Sequence, residues 1–267
     1  TIDEINMLVE RGYKEVILTG IHIGAYGRGV KDETCDLTGL CRRILDETAI
    51  ERLRIGSLEG IEVTDALIEM IASDERMAKC DSCRIYCMLQ SGCDRTLSAM
   101  RRPYDTEQFR EMMRRIRGKV PNIAITTDLM VGFPGETDED FKESLVFCND
   151  IAFSAMHIFK YSMRSGTPAA AMPDQIDPQI KERRAKQMAD VAQKNKLDYE
   201  RRFVGQTLRI LVEEQTKDGL WTGHSSNYLL VTFPGENIRS GDFVDVKITS
   251  AERNRLLGEI ENHLEEE

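Results

Sequence analysis

The fold is decided by the stretch IAITTDLMVGFPGET, at residues 123–137. The run from Ile123 to Val131 is rich in apolar and β-branched residues and predicts a buried strand. Gly132 and Gly135 follow it and predict a tight turn whose backbone a ligand can approach closely. Glu136 and Thr137 stand just before a helical pattern, and their simplest interpretation is as the cap of that helix.

The same succession of strand, polar tip and helix runs along most of the chain. Buried strands are predicted at 15–19, 53–58, 84–89, 123–131 and 155–161. Strands that alternate with helices form parallel sheets with right-handed crossovers. Because polar or glycine-rich tips follow every strand, a barrel is favoured over an open doubly wound sheet.

The periodicity changes after a long charged helix predicted from residue 177 to 203. Alternating apolar and polar residues then predict short strands, separated by turn residues, at 207–212, 220–224, 227–233 and 243–248. Short strands in this arrangement are typical of a small β-barrel. The predicted domains are residues 1–203, with the helix as a connector, then a β-barrel at 204–262 and an acidic tail at 263–267.

The composition excludes several classes of protein. Hydrophobic residues make up 41% and charged residues 31%, which excludes collagen-like, wholly disordered and membrane-embedded chains. Lysine plus arginine number 36 against 46 acidic residues, a net charge of −10. Contact with nucleic acid would therefore depend on local basic surfaces such as 101–119. No apolar run approaches the roughly 20 residues that span a bilayer, and we expect a cytoplasmic protein with no membrane contact.

Seven cysteines raise the question of a metal site. Cys80, Cys83, Cys87 and Cys93 are close in sequence, and thiolates at such spacings can hold zinc or an iron–sulfur cluster. Cys83 and Cys87 flank a predicted strand, however, which would separate them by roughly 13 Å. We interpret the four as buried or incidental thiols and predict no metal ligand, with a redox or zinc protein as the alternative.

The predicted strand tips carry hydroxyl, carboxylate and amide groups that suit a polar small molecule. His22 lies in a glycine-rich loop after the first strand, whereas His157 alternates within a strand and is expected to pack inside the barrel. Neither has an acidic partner that the sequence identifies. The sequence contains no credible Ser-His-Asp arrangement and no Gly-x-x-x-x-Gly-Lys loop, which disfavours hydrolases and nucleotidases.

Several of the tips form longer motifs: VILTGIHIGAYG at 16–27, RIGSLE at 54–59, LQSGCD at 89–94, TTDLMVGFPGET at 126–137, HIFKYS at 157–162 and GTPAA at 166–170. In this order they resemble the radical S-adenosylmethionine (SAM) methylthiotransferases that modify tRNA, and the resemblance covers nearly the whole chain. The sequence SGCD, followed by Thr96, Leu97, Met100, Arg102 and Tyr104, is most similar to the branch that acts on threonylcarbamoyladenosine next to the anticodon. Residues 204–260 resemble the TRAM domain of this family.

The resemblance implies an α/β fold: a partial radical SAM (βα)6-type barrel that lacks its first strand, followed by a small all-β TRAM barrel. It implies SAM and two [4Fe–4S] clusters as cofactors of the full-length enzyme. In the family a Cys-x-x-x-Cys-x-x-Cys loop holds one cluster, and this chain begins at the helix after that loop. We therefore expect the cluster ligands to lie outside this chain and the chain alone to be inactive. The missing strand would also expose the edge of the strand at 16–18 and favour self-association.

Matched motifs and residue chemistry together give candidate site residues, none of them catalytic. The expected cofactor contacts are Thr19, Gly20, Ser57, Glu59, Gln90, Ser91, Asp128, Gly132, Gly135 and Glu136. The expected tRNA contacts are Arg102, Trp221, His224, Asn227 and Tyr228. Expected partners are the tRNA anticodon loop and an electron donor, with the protein a monomer. The alternatives are a non-catalytic RNA-binding module, or a methylthiotransferase that acts on isopentenyladenosine or a ribosomal protein.

Overall fold

The structure is a computed structural model that describes residues 1–30, 35–58, 62–78, 84–253 and 255–261. Its helices are α1 (Ile2–Glu10), α2 (Leu37–Glu47), α3 (Asp65–Ser73), α4 (Glu75–Ala78), α5 (Asp94–Ala99), α6 (Thr106–Lys119), α7 (Asp138–Ile151) and α8 (Pro178–Arg201). Its strands are β1 (Glu15–Leu18), β2 (Arg52–Ile55), β3 (Ser57–Leu58), β4 (Arg84–Cys87), β5 (Ala124–Val131), β6 (Ala155–Lys160), β7 (Thr207–Gln215), β8 (Trp221–Ser225), β9 (Leu230–Phe233), β10 (Phe243–Glu252) and β11 (Arg255–Ile260).

Residue contacts divide the chain into two compact units. Unit 1 comprises residues 1–85, 119–124 and 197–267, and unit 2 comprises residues 86–118 and 125–196. Unit 1 thus combines the N-terminal strands with the C-terminal strands of the chain. None of the helices in the described ranges is both long and apolar enough to cross a membrane.

Unit 2 is built on a parallel sheet in which β5 lies between β4 and β6. The register of β5 and β6 runs from Thr126 opposite Ala155 to Val131 opposite Lys160. Along β5, burial alternates towards its end, so that Leu129 is buried whereas its neighbours are partly exposed. One face of β5 therefore lies in the core and the other is open. The predicted strands at 84–89, 123–131 and 155–161 are confirmed, with small shifts at their ends.

The core of unit 2 is centred on aromatic rings. Phe109 of α6 lies 6.2 Å from Phe147 of α7 and 6.1 Å from Phe153, in both cases edge to face. Such contacts are a favoured geometry for buried aromatic side chains. Helices α6 and α7 thereby pack against each other.

Unit 1 contains the parallel pair β1–β2 and a closed barrel with strand order β10-β11-β9-β8-β7. The predicted small β-barrel is confirmed, but its fifth strand, β11, is missing from the prediction. Within the described residues, β1 pairs with β2 alone, and Ile17 is 43% exposed. The expected self-association through this edge stays a prediction.

Two arginines of β2 attach the β1–β2 pair to the barrel. Arg52 donates hydrogen bonds to the carbonyl oxygens of Arg209 (3.0 Å) and His224 (3.1 Å). Arg54 donates to the carbonyl oxygen of Ser225 at 2.8 Å. Both guanidinium groups also contact the carboxylate of Glu15, at 3.3 and 3.0 Å. The carboxylate of Glu15 balances one of the two positive charges, and carbonyl oxygens replace water around both guanidinium groups.

The hydroxyl of Tyr199 joins the end of α8 to the barrel. It donates to the carbonyl oxygen of Asn122 at 2.7 Å and accepts a hydrogen bond from Asn227 Nδ2 at 3.0 Å. The side-chain oxygen Oδ1 of Asn227 in turn accepts a hydrogen bond from the hydroxyl of Ser225. A buried polar chain of this kind stabilises the fold only while each member keeps its partner.

Replacing Tyr199 with Phe is therefore expected to lower the free energy of unfolding by about 1–2 kcal/mol, because two buried polar groups lose a partner. Urea unfolding followed by circular dichroism measures the loss. Tyr13→Phe, at a tyrosine that is 58% exposed, is the matched control and is expected to leave stability unchanged. Equal stabilities of the two variants would contradict a bridging role for the Tyr199 hydroxyl.

Candidate cofactor and substrate site

Three side chains form a row across the open face of the unit 2 sheet. Asp128 lies opposite His157 in the register of β5 and β6, and the hydroxyl of Tyr86 donates a hydrogen bond to Asp128 Oδ1. The rings of Tyr86 and His157 stack with their centroids 5.7 Å apart. His157 is exposed, so the prediction that it packs in the interior is wrong. The face offers a ligand one carboxylate and two stacked rings.

Gln90 and Ser91 follow β4 but differ in their surroundings. Gln90 has a φ of 68°, in the left-handed region that few non-glycine residues adopt. Its backbone exchanges hydrogen bonds of 2.9 Å with Asp128 and Met130 of β5. The hydroxyl of Ser91 is buried, 3.2 Å from the hydroxyl of Ser144 in α7. Ser91 is therefore held in the core, whereas the Gln90 side chain lines a cavity.

The turn after β5 is organised by the buried carboxylate of Glu136. Its Oε2 accepts hydrogen bonds from the backbone N–H groups of Gly132 (2.8 Å) and Phe133 (3.3 Å), and Arg184 of α8 donates to its Oε1 at 2.9 Å. Gly132 has a φ of 72°, and a Cβ there would lie 2.4 Å from Lys181 Cγ, so glycine is required. The carboxylate thus binds the backbone of its own turn.

Helix α7 begins with a capping box. Thr137 Oγ accepts a hydrogen bond from the N–H of Asp140, and Asp140 Oδ2 accepts one from the N–H of Thr137, which confirms the capping interpretation for Thr137. Arg95 donates to Asp140 Oδ1 at 2.8 Å and to the carbonyl oxygen of Gly135 at 2.6 Å. The Arg95 guanidinium holds the pKa of Asp140 well below its usual range, and it ties the turn to α5.

Unit 2 also contains an open cavity of about 510 Å³, which we call the strand-end cavity. Gln90 and Met130 place it at the C-terminal ends of β4 and β5. Its wall also contains the apolar side chains of Phe133 and Met172 and the cationic ones of Arg101 and Arg102. A cavity of this size and mixed lining suits a small-molecule ligand.

The remaining predicted cofactor contacts belong to unit 1. Thr19 and Gly20 follow β1 and are exposed. Ser57 lies in β3, but its side chain, like the whole of Glu59, is outside the described residues. The proposed contact of these four residues with a cofactor stays a prediction.

The loop after β1 contains a charged cluster that sequence reasoning missed. The imidazole of His22 contacts the carboxylate of Glu62, and Arg28 donates to the same carboxylate at 3.2 Å. The side chain of Glu62 is only 1% exposed. His22 thus has an acidic partner, which is distant in the sequence and belongs to no short motif.

The described cysteines are mostly buried thiols. Cys87 is 0% and Cys93 2% exposed, and burial raises the pKa of their thiols to about 12 and about 11. The interpretation as buried thiols is confirmed for these two, while Cys80 and Cys83 lie outside the described residues. Burial likewise raises the thiol pKa of Cys148 to about 12.

Four of the predicted RNA contacts surround β8 of unit 1. The ring of Tyr228, 41% exposed, lies 4.5 Å from the guanidinium carbon of Arg54 and 4.8 Å from the ring of His224. Trp221 is partly buried against the barrel core. Asn227 is 1% exposed and bonded to Tyr199 and Ser225, which gives it a structural role rather than an RNA-facing one. The fifth predicted RNA contact, Arg102, belongs to unit 2.

Comparison with known proteins identifies the family. The model of the radical SAM superfamily matches residues 1–148, and that of the TRAM domain matches residues 201–260. The chain belongs to the radical SAM superfamily. The radical SAM and TRAM parts of the resemblance that the strand-tip motifs indicated are thereby confirmed.

Curated relatives of the chain are tRNA-modifying enzymes by name. It is 35% identical, over 94% of its length, to a threonylcarbamoyladenosine tRNA methylthiotransferase of Bacillus subtilis (strain 168), of which it covers 55%. It is 37% identical, over 97% of its length, to a tRNA-2-methylthio-N(6)-dimethylallyladenosine synthase of Desulforamulus reducens, of which it covers 56%. The chain therefore spans about half the length of these relatives.

A solved structure supports the fold. Coproporphyrinogen III oxidase from Escherichia coli, a radical SAM enzyme, matches with a TM-score of 0.52 at 11% identity, over 88% of this chain and 54% of that one. At such low identity the match shows the architecture alone. Together with the superfamily match, it confirms the predicted radical SAM class of α/β fold.

Membership of this superfamily implies SAM and an iron–sulfur cluster. The described residues do not fit a cluster, because they contain no group of three or more His, Cys, Asp or Glu side chains placed to hold a metal ion. The thiols of Cys87 and Cys93 are also almost fully buried, at 0% and 2% exposure. SAM fits unit 2 better. The open face of its sheet carries the Asp128 carboxylate beside two stacked rings, and open space adjoins the backbone at Gly135.

The pairing of Glu136 with Arg184 generates a pH-dependent prediction. Arg184→Met is expected to lower stability by about 3–5 kcal/mol at pH 7.5, because a buried carboxylate loses its cation. Burial raises the pKa of Glu136 and Arg184 opposes that effect, so the variant has a still higher pKa. A raised carboxyl pKa disfavours the folded state only above the unfolded value of about 4.3. The stability difference between the parent protein and Arg184→Met should therefore become smaller as the pH falls from 7.5 to 5. Urea unfolding at both pH values measures it.

The neighbouring Arg183 supplies the control. Its side chain is 58% exposed and lies 3.7 Å from Asp138, so Arg183→Met is expected to have no measurable effect. Adding Glu136→Gln to Arg184→Met is expected to recover part of the loss, because the unpaired charge is gone. A loss that is identical at both pH values would show that charge burial is not its cause.

Proposed function

We propose that this chain is the radical SAM and TRAM portion of a tRNA methylthiotransferase that adds a methylthio group to N6-threonylcarbamoyladenosine next to the anticodon. The observation that carries the proposal is the similarity to the Bacillus subtilis enzyme of that name over 94% of the chain. The motif SGCD at 91–94, followed by Met100, Arg102 and Tyr104, favours the same branch. The protein would act on tRNA in the cytoplasm as a monomer, with an electron donor as a further partner.

In this proposal the strand ends bind and orient SAM and the target nucleoside. Gln90 and Asp128 supply polar side chains from the open face of unit 2, and the turn from Gly132 to Gly135 supplies backbone. Glu136 holds that turn in shape, as its hydrogen bonds to Gly132 and Phe133 indicate. Ser91 supports the β4 tip from the core. We assign Thr19, Gly20, Ser57 and Glu59 to the same cofactor by their matched motifs.

A second substrate is favoured by a specific observation. A dimethylallyladenosine-type synthase is as similar to this chain, at 37% identity, as the threonylcarbamoyladenosine-type enzyme is at 35%. The two nucleosides differ in the group on N6, which is an amino acid derivative with a carboxylate in one and an apolar prenyl group in the other. Discrimination between them must therefore rest on charge and polarity at the substrate pocket.

The reading frame that contains this sequence, expressed in full in a bacterial strain without methylthiotransferases, is expected to restore 2-methylthio-N6-threonylcarbamoyladenosine in tRNA. Mass spectrometry of digested tRNA measures the nucleoside, and the untransformed strain is the control. Appearance of 2-methylthio-N6-dimethylallyladenosine instead would support the second substrate. If neither nucleoside appears, the protein is not a tRNA methylthiotransferase of either branch.

The chain alone is expected not to cleave SAM. The described residues contain no group of side chains placed to hold a metal ion, and we propose that both [4Fe–4S] clusters are held by residues outside this chain. Incubation with iron, sulfide, dithionite and SAM should release no 5′-deoxyadenosine, as measured by liquid chromatography. Stoichiometric release would show that this chain holds a competent cluster.

Binding of tRNA by the TRAM barrel is proposed to use Tyr228. Its exposed ring rests on Arg54 and His224, which leaves an aromatic face that can stack on a base. The barrel sequence at 204–262 contains six basic and nine acidic residues, so bulk charge does not attract RNA to it. Stacking, which every base can accept, is the better physical source of affinity.

Tyr228→Asn is expected to weaken binding of an anticodon stem-loop RNA by about 1–3 kcal/mol, the usual worth of one stacked base. Asn is chosen because Tyr228 has a φ of 67°, which Asn tolerates. Fluorescence anisotropy measures the dissociation constant. Tyr13→Asn, at another exposed tyrosine of unit 1, is the control. Equal affinities of the two variants would remove Tyr228 from the RNA surface.

A further inference from the structure

Two consecutive arginines, Arg101 and Arg102, line the strand-end cavity, and neither forms an ion pair with a carboxylate of the described residues. Arg102 Nε is buried and has no hydrogen-bond partner among the described residues. Arg184 Nε also lacks a hydrogen-bond partner, but the guanidinium groups of Arg184 and of the buried Arg52 each contact a carboxylate. Burying part of a guanidinium group without a partner is costly. Arg101 is exposed and Arg102 is partly buried, so an anionic ligand that enters the cavity can reach both guanidinium groups.

The backbone conformation of Arg101 is a second observation that favours a ligand site in the strand-end cavity. Helix α5 ends with hydrogen bonds from the N–H of Arg101 to the carbonyl of Ser98 and from the N–H of Arg102 to that of Leu97. Arg101 then has a φ of 57°, at the helix end where glycine is the usual residue. Strained backbone at a non-glycine residue is typical of binding sites. Here it accompanies two adjacent side chains that both line the cavity.

The rest of the lining defines the ligand. Met130, Phe133 and Met172 give apolar walls suited to a planar or aliphatic group. No acidic side chain of the described residues lines the cavity. A free amino acid, which carries an ammonium group beside its carboxylate, would find no counter-ion for that ammonium. The lining therefore suits a carboxylate whose amino group is acylated and neutral.

We propose that Arg101 and Arg102 bind the carboxylate of the threonylcarbamoyl group of the target nucleoside. The inference rests on the proposed function and deepens it, because it names the residues that select this substrate. In threonylcarbamoyladenosine the amino group of threonine is part of a urea, so the group carries one negative charge and no positive one. The planar fork of a guanidinium matches a carboxylate with two hydrogen bonds. The neutral dimethylallyl group gains nothing from either arginine.

The test compares four anticodon stem-loop RNAs that differ only at the target adenosine: unmodified, threonylcarbamoylated, the methyl ester of the latter, and dimethylallylated. Fluorescence anisotropy with the full chain gives their dissociation constants. The threonylcarbamoyl RNA is expected to bind about tenfold more tightly than its methyl ester, the usual size of a charge-assisted hydrogen-bond effect. Arg102→Met should abolish this preference, which is measured as the ratio of the dissociation constants for acid and ester so that any general loss of RNA affinity cancels. Arg102→Lys should retain part of it.

Arg114→Met is the matched control, because it removes one positive charge from the same basic stretch at an exposed position of α6. It is expected to keep the full preference for the acid over the ester. Arg101→Asn, which tolerates the left-handed backbone, should reduce the preference without affecting the fold, and thermal melting checks the folding of every variant. A preference that is absent from the parent chain, or intact in Arg102→Met, overturns the proposal.

Separate outcomes distinguish this proposal from the proposed function. If Arg102→Met instead weakens binding of SAM, measured by equilibrium dialysis, the arginines bind the cofactor carboxylate and the substrate assignment is wrong. If the parent chain shows no acid-over-ester preference while the full reading frame still makes 2-methylthio-N6-threonylcarbamoyladenosine, only the role of the arginines fails. If the dimethylallyl RNA binds most tightly, both the role of the arginines and the proposed threonylcarbamoyladenosine substrate are contradicted.

Discussion

A buried carboxylate determines the shape of the strand end on which the proposed chemistry depends. Glu136 binds two N–H groups of its own turn, which requires the left-handed backbone of Gly132, and it receives its counter-charge from Arg184. The turn lies between β5 and α7, and Arg184 belongs to α8. One ion pair therefore determines where β5 ends, where α7 begins and how α8 packs in unit 2. Since a charge buried in this way is stable only when it is paired, the sequence must retain both residues or neither.

Paired and unpaired arginines have different uses in this acidic chain. Arg52, Arg54 and Arg184 are almost wholly buried and bind carboxylate and carbonyl oxygens, so they act as internal connections between elements. Arg102 differs from them because it contacts no carboxylate in the described part of the chain, although its unpartnered Nε is shared by Arg184. Net charge cannot reveal this difference, because it counts both kinds equally. The presence or absence of a counter-charge separates structural arginines from those that await a ligand.

Local patterns predicted the elements of this fold, whereas distant partners decided its details. The apolar run at 123–131 and the cap at Thr137 depend on neighbours in sequence, and both were predicted correctly. Three contacts join residues that are far apart in the sequence: His22 with Glu62, Ser91 with Ser144, and Asn227 with Tyr199. A single sequence does not identify such pairs. The prediction that His157 is buried was wrong for a related reason. Alternation places a residue on a face of a sheet but does not tell whether another element covers that face. Strand β11 contains Gly258, which weakens its alternating pattern.

The contacts of Arg54 argue that the proposed RNA surface is a fixed platform rather than a moving part. Its guanidinium is held by Glu15 and by the carbonyl of Ser225, and its side chain is only 9% exposed. The ring of Tyr228 lies over this immobilised group. A base that stacks on Tyr228 therefore meets a ring whose position is already determined, and little conformational entropy is lost on binding. Arg54 belongs to β2, and Ser57 begins β3 two residues after β2 ends, so the proposed RNA surface and one predicted cofactor contact are close along the chain of unit 1.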